Sequence, residues 1–302
     1  MSIATQFFAP WLRKLRPSDL PISRVRNLEE YETNLRAMAT TYRNRWDVEL
    51  ALCQSGVPFS TTGLCYPCNK QVQFETDFQY SSQEVNGIKI PNWRERVLCP
   101  CLLNNRTRAS VHILERVLRA KAAHAVYVAE QVTPLYATLQ KRYPRLTGSE
   151  YLGDRIPFGA TDDRGIRNES ITRLTFDDRS FDFVLNFDVL EHIPNPEAGL
   201  SEIYRVLKRG GHVLLSVPFL QNQHANQLRA RIDSAGKVEH ILPAQYHGDP
   251  VSDAGCLCFQ DFGWELLDQM RAIGFRDVAM LLYWSPKYGY YGIEQMMISA
   301  RR

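Results

Sequence analysis

The 302-residue chain is 44% hydrophobic and 23% charged, which is ordinary globular composition and enough to bury a core. Its net charge of +3 is too small to mark a nucleic-acid-binding protein by itself. No stretch approaches the roughly 20 apolar residues of a membrane span, and the length admits one large or two modest domains.

Near the start, "FFAPWL" is followed by "RKLR". The apolar run is too short for a signal peptide and its charges lie on the wrong side, so a cytoplasmic protein is expected. Residues 1–60 form an Arg-rich N-terminal helical region. Within it "NLEEYETNLRAMATTYRNRWDVELALCQSG" places apolar residues at helical spacing and ends at Gly56.

Residues 61–108 change character. "QVQFETDFQYSS" partly alternates, and "VNGIKI" supplies a turn and another short strand. Close cysteine pairs flank these strands: Cys65 and Cys68 in "CYPC", and Cys99 and Cys101 in "CPC". Without a secretory signal, such pairs point to a metal before disulfides. Two knuckles, each giving two thiolates, around a small hairpin are the layout of a zinc ribbon. The second knuckle is one residue tighter than usual, yet four thiolates can still surround zinc tetrahedrally. Cys256 or Cys258, in "CLC", are rival ligands, and Cys53 stands alone. Asn104, Asn105 and Arg106 in "LLNNRTRA" are read as structural, with substrate contact as the alternative.

Residues 109–302 read as an α/β domain. A linking helix, "ASVHILERVLRAKAAH", covers 109–124. Strands follow at "AVYVA", "LTGSEYL", "FDFVLNF" and "HVLLSVP", with "NPEAGLSEIYRVLKRGG" as a helix that opens on an N-cap Asn and closes on glycines. Later come the helix "DFGWELLDQMRAIGF" and the strands "DVAMLLYW" and "IEQMMISA". Strand–helix alternation with short turns predicts a doubly wound α/β sheet.

The block Ser180 to Phe219, "SFDFVLNFDVLEHIPNPEAGLSEIYRVLKRGGHVLLSVPF", closely resembles the second half of the class I S-adenosylmethionine-dependent methyltransferase domain. In that family a strand reading "FD-V" is followed by "VLEH", a helix ending "LKPGG" and the strand "LLSVP". The resemblance implies a mostly parallel, seven-stranded, Rossmann-like sheet and S-adenosylmethionine as cofactor.

Ligands of open α/β sheets bind beyond the carboxyl ends of the strands. Asn186 and Phe187 end such a strand and are expected to face the cofactor, with Asp188, Glu191 and His192 on the loop that follows. "LTGSEYLG" resembles the family's second strand. Its Glu150 falls where an acid binds both ribose hydroxyls, a task suited to a carboxylate, and Tyr151 beside it joins the cofactor set. "RNESITRLTFDDRSFD" resembles the segment that holds the adenine. There Glu169 and Ser170 are assigned as a pair.

"AVYVAEQVTPLY" then becomes the first strand and cofactor turn. Glu130, Val132 and Pro134 stand where glycines are expected, since the backbone there approaches the ligand closely. Glu130 suits the cofactor's ammonium, Gln131 and Thr133 can offer hydrogen bonds, and Pro134 suits the first turn of a helix.

Residues 220–260 form a long insertion, expected to be a lid or substrate wall, with His240, Tyr246, His247 and Asp249 clustered near Gly and Pro. His192 is the first candidate general base, because imidazole titrates near neutrality, and His247 the second.

The expected function is methyl transfer to a small molecule, a sugar or other hydroxyl-bearing metabolite. One alternative is an RNA methyltransferase with a zinc module. The first 120 residues hold 16 Lys+Arg against 11 Asp+Glu, a mild bias, so nucleic acid is not favoured. The other alternative is a catalytically inactive methyltransferase fold that serves as a scaffold and docks through its zinc ribbon. The oligomeric state is not readable.

Overall fold

The computed structural model describes residues 20–53, 56–80, 82–248, 251 and 255–302, so "FFAPWL", "RKLR" and Asp249 lie outside the described residues. In chain order the elements begin with β1 (Ile22–Val25), α1 (Leu28–Ala37), α2 (Ala39–Cys53), β2 (Phe59–Cys65) and β3 (Lys70–Thr76). They continue with β4 (Gln83–Val85), β5 (Ile88–Ile90), β6 (Val97–Leu98), α3 (Asn105–His112), β7 (Val126–Val128), α4 (Pro134–Gln140) and β8 (Leu146–Gly148). Next are β9 (Phe181–Phe187), α5 (Pro196–Val206), β10 (Leu207–Ser216), β11 (Gln227–Leu228), β12 (Ala230–Ile232) and β13 (Val238–His240). The last are β14 (Tyr246–His247), β15 (Cys256–Leu257), β16 (Gln260–Asp261), α6 (Glu265–Ile273), β17 (Arg276–Ser285) and β18 (Tyr290–Arg301). No helix among the described residues is long and apolar enough to cross a membrane.

The chain divides into two compact units. One comprises Met1–Arg24, Tyr31–Ala120 and Leu281–Met296; the other comprises Val25–Glu30, Lys121–Met280 and Met297–Arg302.

In the first unit β2 pairs antiparallel with β3, and β3 with β6. Cys65–Cys68 falls at the β2–β3 turn, so one strand, β2, precedes the first cysteine pair and does not lie between the pairs as expected. Phe74, Ile90, Trp93, Val97 and Tyr291 pack with Cys53, Cys65 and Cys99 into a buried core. Among the described residues of this unit, two side chains of charged type, Arg108 and Glu49, are buried. Arg108 donates to the carbonyls of Val97, Tyr288 and Gly289, and its guanidinium lies 3.9 Å from the Phe74 ring centroid. Glu49 Oε1 accepts from Trp284 Nε1 at 2.7 Å and from the amides of Gly292 and Ile293 at 2.7 and 2.8 Å. Each is held by several hydrogen bonds, which offset the cost of burying a polar group.

The linking helix differs from expectation at both ends. It begins at Asn105, because Asn104 caps it by accepting from the Thr107 amide at 2.8 Å. After His112 it widens into a π turn, Ile113–Val117, and then stops. Asn105 donates to the carbonyls of Trp93 and Tyr291, and Arg106 pairs with Glu95 at 3.0 Å, so all three polar residues here are structural.

Seven strands join in one mixed sheet with the order β1-β17-β18-β10-β9-β7-β8. Strands β8, β7, β9 and β10 run parallel, and β18 pairs antiparallel with β10. Central strands of such a sheet are covered on both faces, and Val126, Tyr127 and Val128 are accordingly all buried. Past β8 the pairing continues only as a single parallel bridge, Glu150 to Asn168.

Helix α5 opens as expected on Asn195, whose side chain accepts from the Ala198 amide, with Pro196 in the first turn. It does not close on the glycines. It ends at Val206, Leu207 is already extended, and "KRGG" forms the irregular start of β10, with Gly210 at φ 79°. The insertion 220–260 folds into three two-stranded pieces, β11–β16, β12–β13 and β14–β15.

Candidate functional site

The second unit holds a cavity of ≈600 Å³ beyond the carboxyl ends of β7 and β9. This is where an open α/β sheet binds its ligand. Ala129 and Glu130 reach it from the end of β7, Glu150 and Tyr151 from β8, and Phe187 and Asp188 from β9. Glu169 and Ser170 line it from the following loop, and His192 stands at its rim. The opposite wall comes from the insertion through Gly248, Val251, Cys256 and Leu257, and from Phe259.

Four of the expected site residues are not among those lining the cavity. Asn186 is fully buried, because neighbouring residues of a strand face opposite sides of the sheet and Phe187 takes the cavity side. Thr133 is the N-cap of α4: its hydroxyl accepts from the Tyr136 amide at 3.2 Å and donates to Glu130. Gln131 turns away to the loop behind, donating to the Gly165 carbonyl at 3.0 Å and accepting from the Arg167 amide at 2.9 Å. His247 sits behind the wall, with its ring 5.0 Å from that of His192 and nearly perpendicular to it.

The glycine-free turn has a clear physical basis. Glu150 Oε1 accepts from the amides of both Gln131 and Val132, at 2.6 and 2.9 Å. A carboxylate thus anchors two successive backbone N–H groups that would otherwise lack a protein partner. The close approach usually served by a turn glycine is met on the neighbouring strand. A Cβ at Gly148 would lie 2.4 Å from the Tyr136 ring and 2.8 Å from the Glu130 carbonyl oxygen. The sequence signal was present in "LTGSEYL", but only the fold shows which backbone that glycine accommodates.

The carboxylates of the site are already engaged. Glu169 Oε1 accepts from Arg167 Nε at 2.8 Å and from the Thr175 hydroxyl, and its Oε2 accepts from the Thr175 amide at 3.0 Å. The Ser170 hydroxyl pairs with that of Thr172 at 2.8 Å. Asp188, in the left-handed region at φ 54°, accepts from the Ser216 hydroxyl at 2.9 Å, which fixes its carboxylate at the strand end.

The four sulfurs of Cys65, Cys68, Cys99 and Cys101 lie within 4.8 Å of one another, with Cys68 and Cys99 Sγ 3.8 Å apart. Four sulfurs at about 2.3 Å from a tetrahedral centre are separated by roughly 3.8 Å, so the set fits a zinc ion. The Cys101 amide also points at Cys99 Sγ, 3.5 Å away. Cys256 and Cys258 are not part of this set; the four N-terminal sulfurs gather by themselves.

Residues 131–215 match the family model described as a methyltransferase domain. This stretch is similar to a methyltransferase domain. It runs from the turn after β7 through Glu150 and the Glu169–Ser170 loop to β9 and most of β10. Two curated relatives share part of it. Phosphoethanolamine N-methyltransferase 2 of Caenorhabditis elegans is 48% identical over 42 residues, which is 14% of this chain and 10% of that protein. A probable S-adenosylmethionine-dependent methyltransferase of Mycolicibacterium smegmatis is 42% identical over 53 residues, 18% of this chain and 21% of that protein. The chain therefore spans about a tenth to a fifth of the length of these relatives. Among solved structures, the 1,6-didemethyltoxoflavin-N1-methyltransferase of Burkholderia thailandensis, with S-adenosylhomocysteine and 1,6-didemethyltoxoflavin bound, is 19% identical. It matches 65% of this chain and 77% of its own, with a TM-score of 0.39.

Proposed function

We propose that this protein is an S-adenosylmethionine-dependent methyltransferase acting on a small, hydroxyl-bearing acceptor such as a sugar or another metabolite. The observation that carries the reading is the cavity at the carboxyl ends of β7 and β9, lined in large part by the segment that matches the methyltransferase model. A volume of this order accommodates a ligand of cofactor size with a modest acceptor. Transfer of a sulfonium methyl needs in-line placement of an acceptor atom and the loss of its proton, so positioning accounts for most of the catalysis. Glu130 and Asp188 supply negative charge at the end of the cavity where the cofactor's ammonium and sulfonium would lie. Tyr151 and Phe187 give it apolar surfaces, and Glu150 keeps the turn in shape. His192 lines the cavity. When bound, zinc on Cys65, Cys68, Cys99 and Cys101 would supply structural cross-linking of the ribbon and no reaction step.

A second reading has its own support. Glu150 Oε1 and both oxygens of Glu169 already accept hydrogen bonds from the protein, which suits a methyltransferase fold retained as a scaffold. Calorimetric titration of the purified chain with S-adenosylmethionine separates the two. Saturable binding with about one site supports the enzyme, after which labelled cofactor identifies the acceptor from a metabolite panel. A flat titration overturns it. Dialysis against a strong chelator should remove zinc and lower the thermal midpoint; an unchanged midpoint with zinc gone would exclude a structural ion.

A further inference from the structure

A second group of metal-type donors lies in the wall of the cavity. His192, His247 and Cys258 place their ligand atoms within 4.8 Å of one another. They come from separate elements: His192 from the single 3-10 turn after β9, His247 from β14, and Cys258 from the residue after β15. Backbone bonds hold these elements together, since the Phe259 amide donates to the Glu191 carbonyl at 2.7 Å and the Cys258 amide to the Gln245 carbonyl at 2.8 Å.

Glu191 provides an independent sign. Its side chain is fully buried, yet neither carboxylate oxygen has a hydrogen-bond partner. Oε1 lies 3.7 Å from both His192 Nε2 and His247 Nδ1. A buried carboxylate without hydrogen bonds is costly unless a cation compensates it. Donors at about 2.0–2.3 Å from a tetrahedral zinc are roughly 3.3–3.6 Å apart, close to these separations.

Each imidazole also has a partner outside the cluster. His192 Nδ1 lies 2.9 Å from the Leu257 carbonyl and 4.0 Å from Cys258 Sγ, and its Nε2 is the nitrogen turned to Glu191 Oε1, 3.7 Å away. A metal-bound histidine characteristically gives its other N–H to such an acceptor. The Nε2 of His247 faces the Gln245 side-chain amide at 3.2 Å, so its Nδ1 is the nitrogen turned to Glu191.

We infer that His192, His247 and Cys258 form a second metal centre, a nitrogen–sulfur site for zinc with the buried Glu191 carboxylate beside it, which fastens the insertion to the turn after β9. The donor set selects a borderline metal of the zinc class over magnesium or calcium. Because its three donors come from both the insertion and the turn after β9, the centre acts as a cross-link. It sets the position of Cys256, Leu257 and Phe259 against the cavity, and through them the room left for the acceptor. This deepens the proposed function and, for that role, rests on it; the existence of the centre does not.

The test is metal content by mass spectrometry of protein purified without chelator, for the wild type, Cys258→Ser, and His247→Gln. The wild type should carry two zinc equivalents, and each variant one, with the far-ultraviolet circular dichroism unchanged. Cobalt(II) titration of the wild type gives a second readout that needs no variant. It should show a second equivalent whose sulfur-to-metal band has the intensity of one thiolate, apart from the four-thiolate site. One zinc equivalent in the wild type together with no second cobalt equivalent would overturn the inference. Titration with S-adenosylmethionine on the same samples keeps the two readings apart. Cofactor binding with one metal refutes this centre alone, whereas two metals without cofactor binding refute the methyltransferase reading alone.

Discussion

Glu150→Ala should weaken cofactor binding while leaving the rest of the sheet folded. The substitution removes the one acceptor shared by the Gln131 and Val132 amides. Hydrogen bonds to a charged group contribute about 1.5–3 kcal/mol each. Val132 is exposed and Gln131 half-buried, so water can recover part of that loss. A net cost of about 2 kcal/mol follows, which is roughly 30-fold in the affinity of any ligand that needs the ordered turn. Glu150→Gln keeps an amide oxygen in the same place without the charge and should fall between, about five-fold weaker than wild type. The assay is calorimetric titration with S-adenosylmethionine at constant pH, beside thermal melts of each variant. A Glu150→Ala affinity within about three-fold of wild type would refute the view that this carboxylate organises the turn.

Gly148→Ala should be destabilising by about 1–3 kcal/mol, because its Cβ would meet the Tyr136 ring and the Glu130 carbonyl; chemical denaturation measures it. Glu49 links the stability of the first unit to pH. Burial pushes its carboxyl up to about 7, against the opposing bonds from Ile293, Trp284 and Gly292. A raised folded-state value means that the folded form holds the proton longer, so stability is greatest below about pH 4.5 and falls as pH rises towards 7, by about 3 kcal/mol in all. Glu49→Gln should flatten that slope in denaturation curves taken between pH 5 and pH 7.5, and an unaltered slope would count against it. Arg108→Met leaves the carbonyls of Val97, Tyr288 and Gly289 without their donor in a buried site. It should destabilise by about 3 kcal/mol or more, with Arg108→Lys recovering only part.

The block from Ser180 to Phe219 was legible because its pattern is local: one buried strand, one capped helix and one more strand, each with its own periodicity. Asn195 as N-cap and Pro134 in a first turn were readable for the same reason, since capping chemistry acts over three or four residues. The four-cysteine set is read from two short knuckles, and only their mutual approach required the fold. What escaped the sequence depends on distance along the chain. His192 and Cys258 are 66 residues apart and meet because β14 and β15 fold back towards the turn after β9. Gln131 and Thr133 looked like ligand groups, yet nearby backbone claims both side chains. Polar residue type alone does not say whether a donor faces a ligand or its own loop. The end of α5 was misread because glycines in "KRGG" serve a strand irregularity as readily as a helix stop.

The division of labour between Glu150 and Gly148 has a consequence for how this turn tolerates change. Positions 131 and 132 give their backbone amides to the carboxylate, so their side chains carry little of the turn's geometry. Position 148 must stay without a side chain, and position 150 must keep an acceptor. A saturation library across 129–150 should therefore be most intolerant outside the turn itself, at two sites on the adjoining strand and its exit. The shape of the turn would be inherited through residues that do not belong to it.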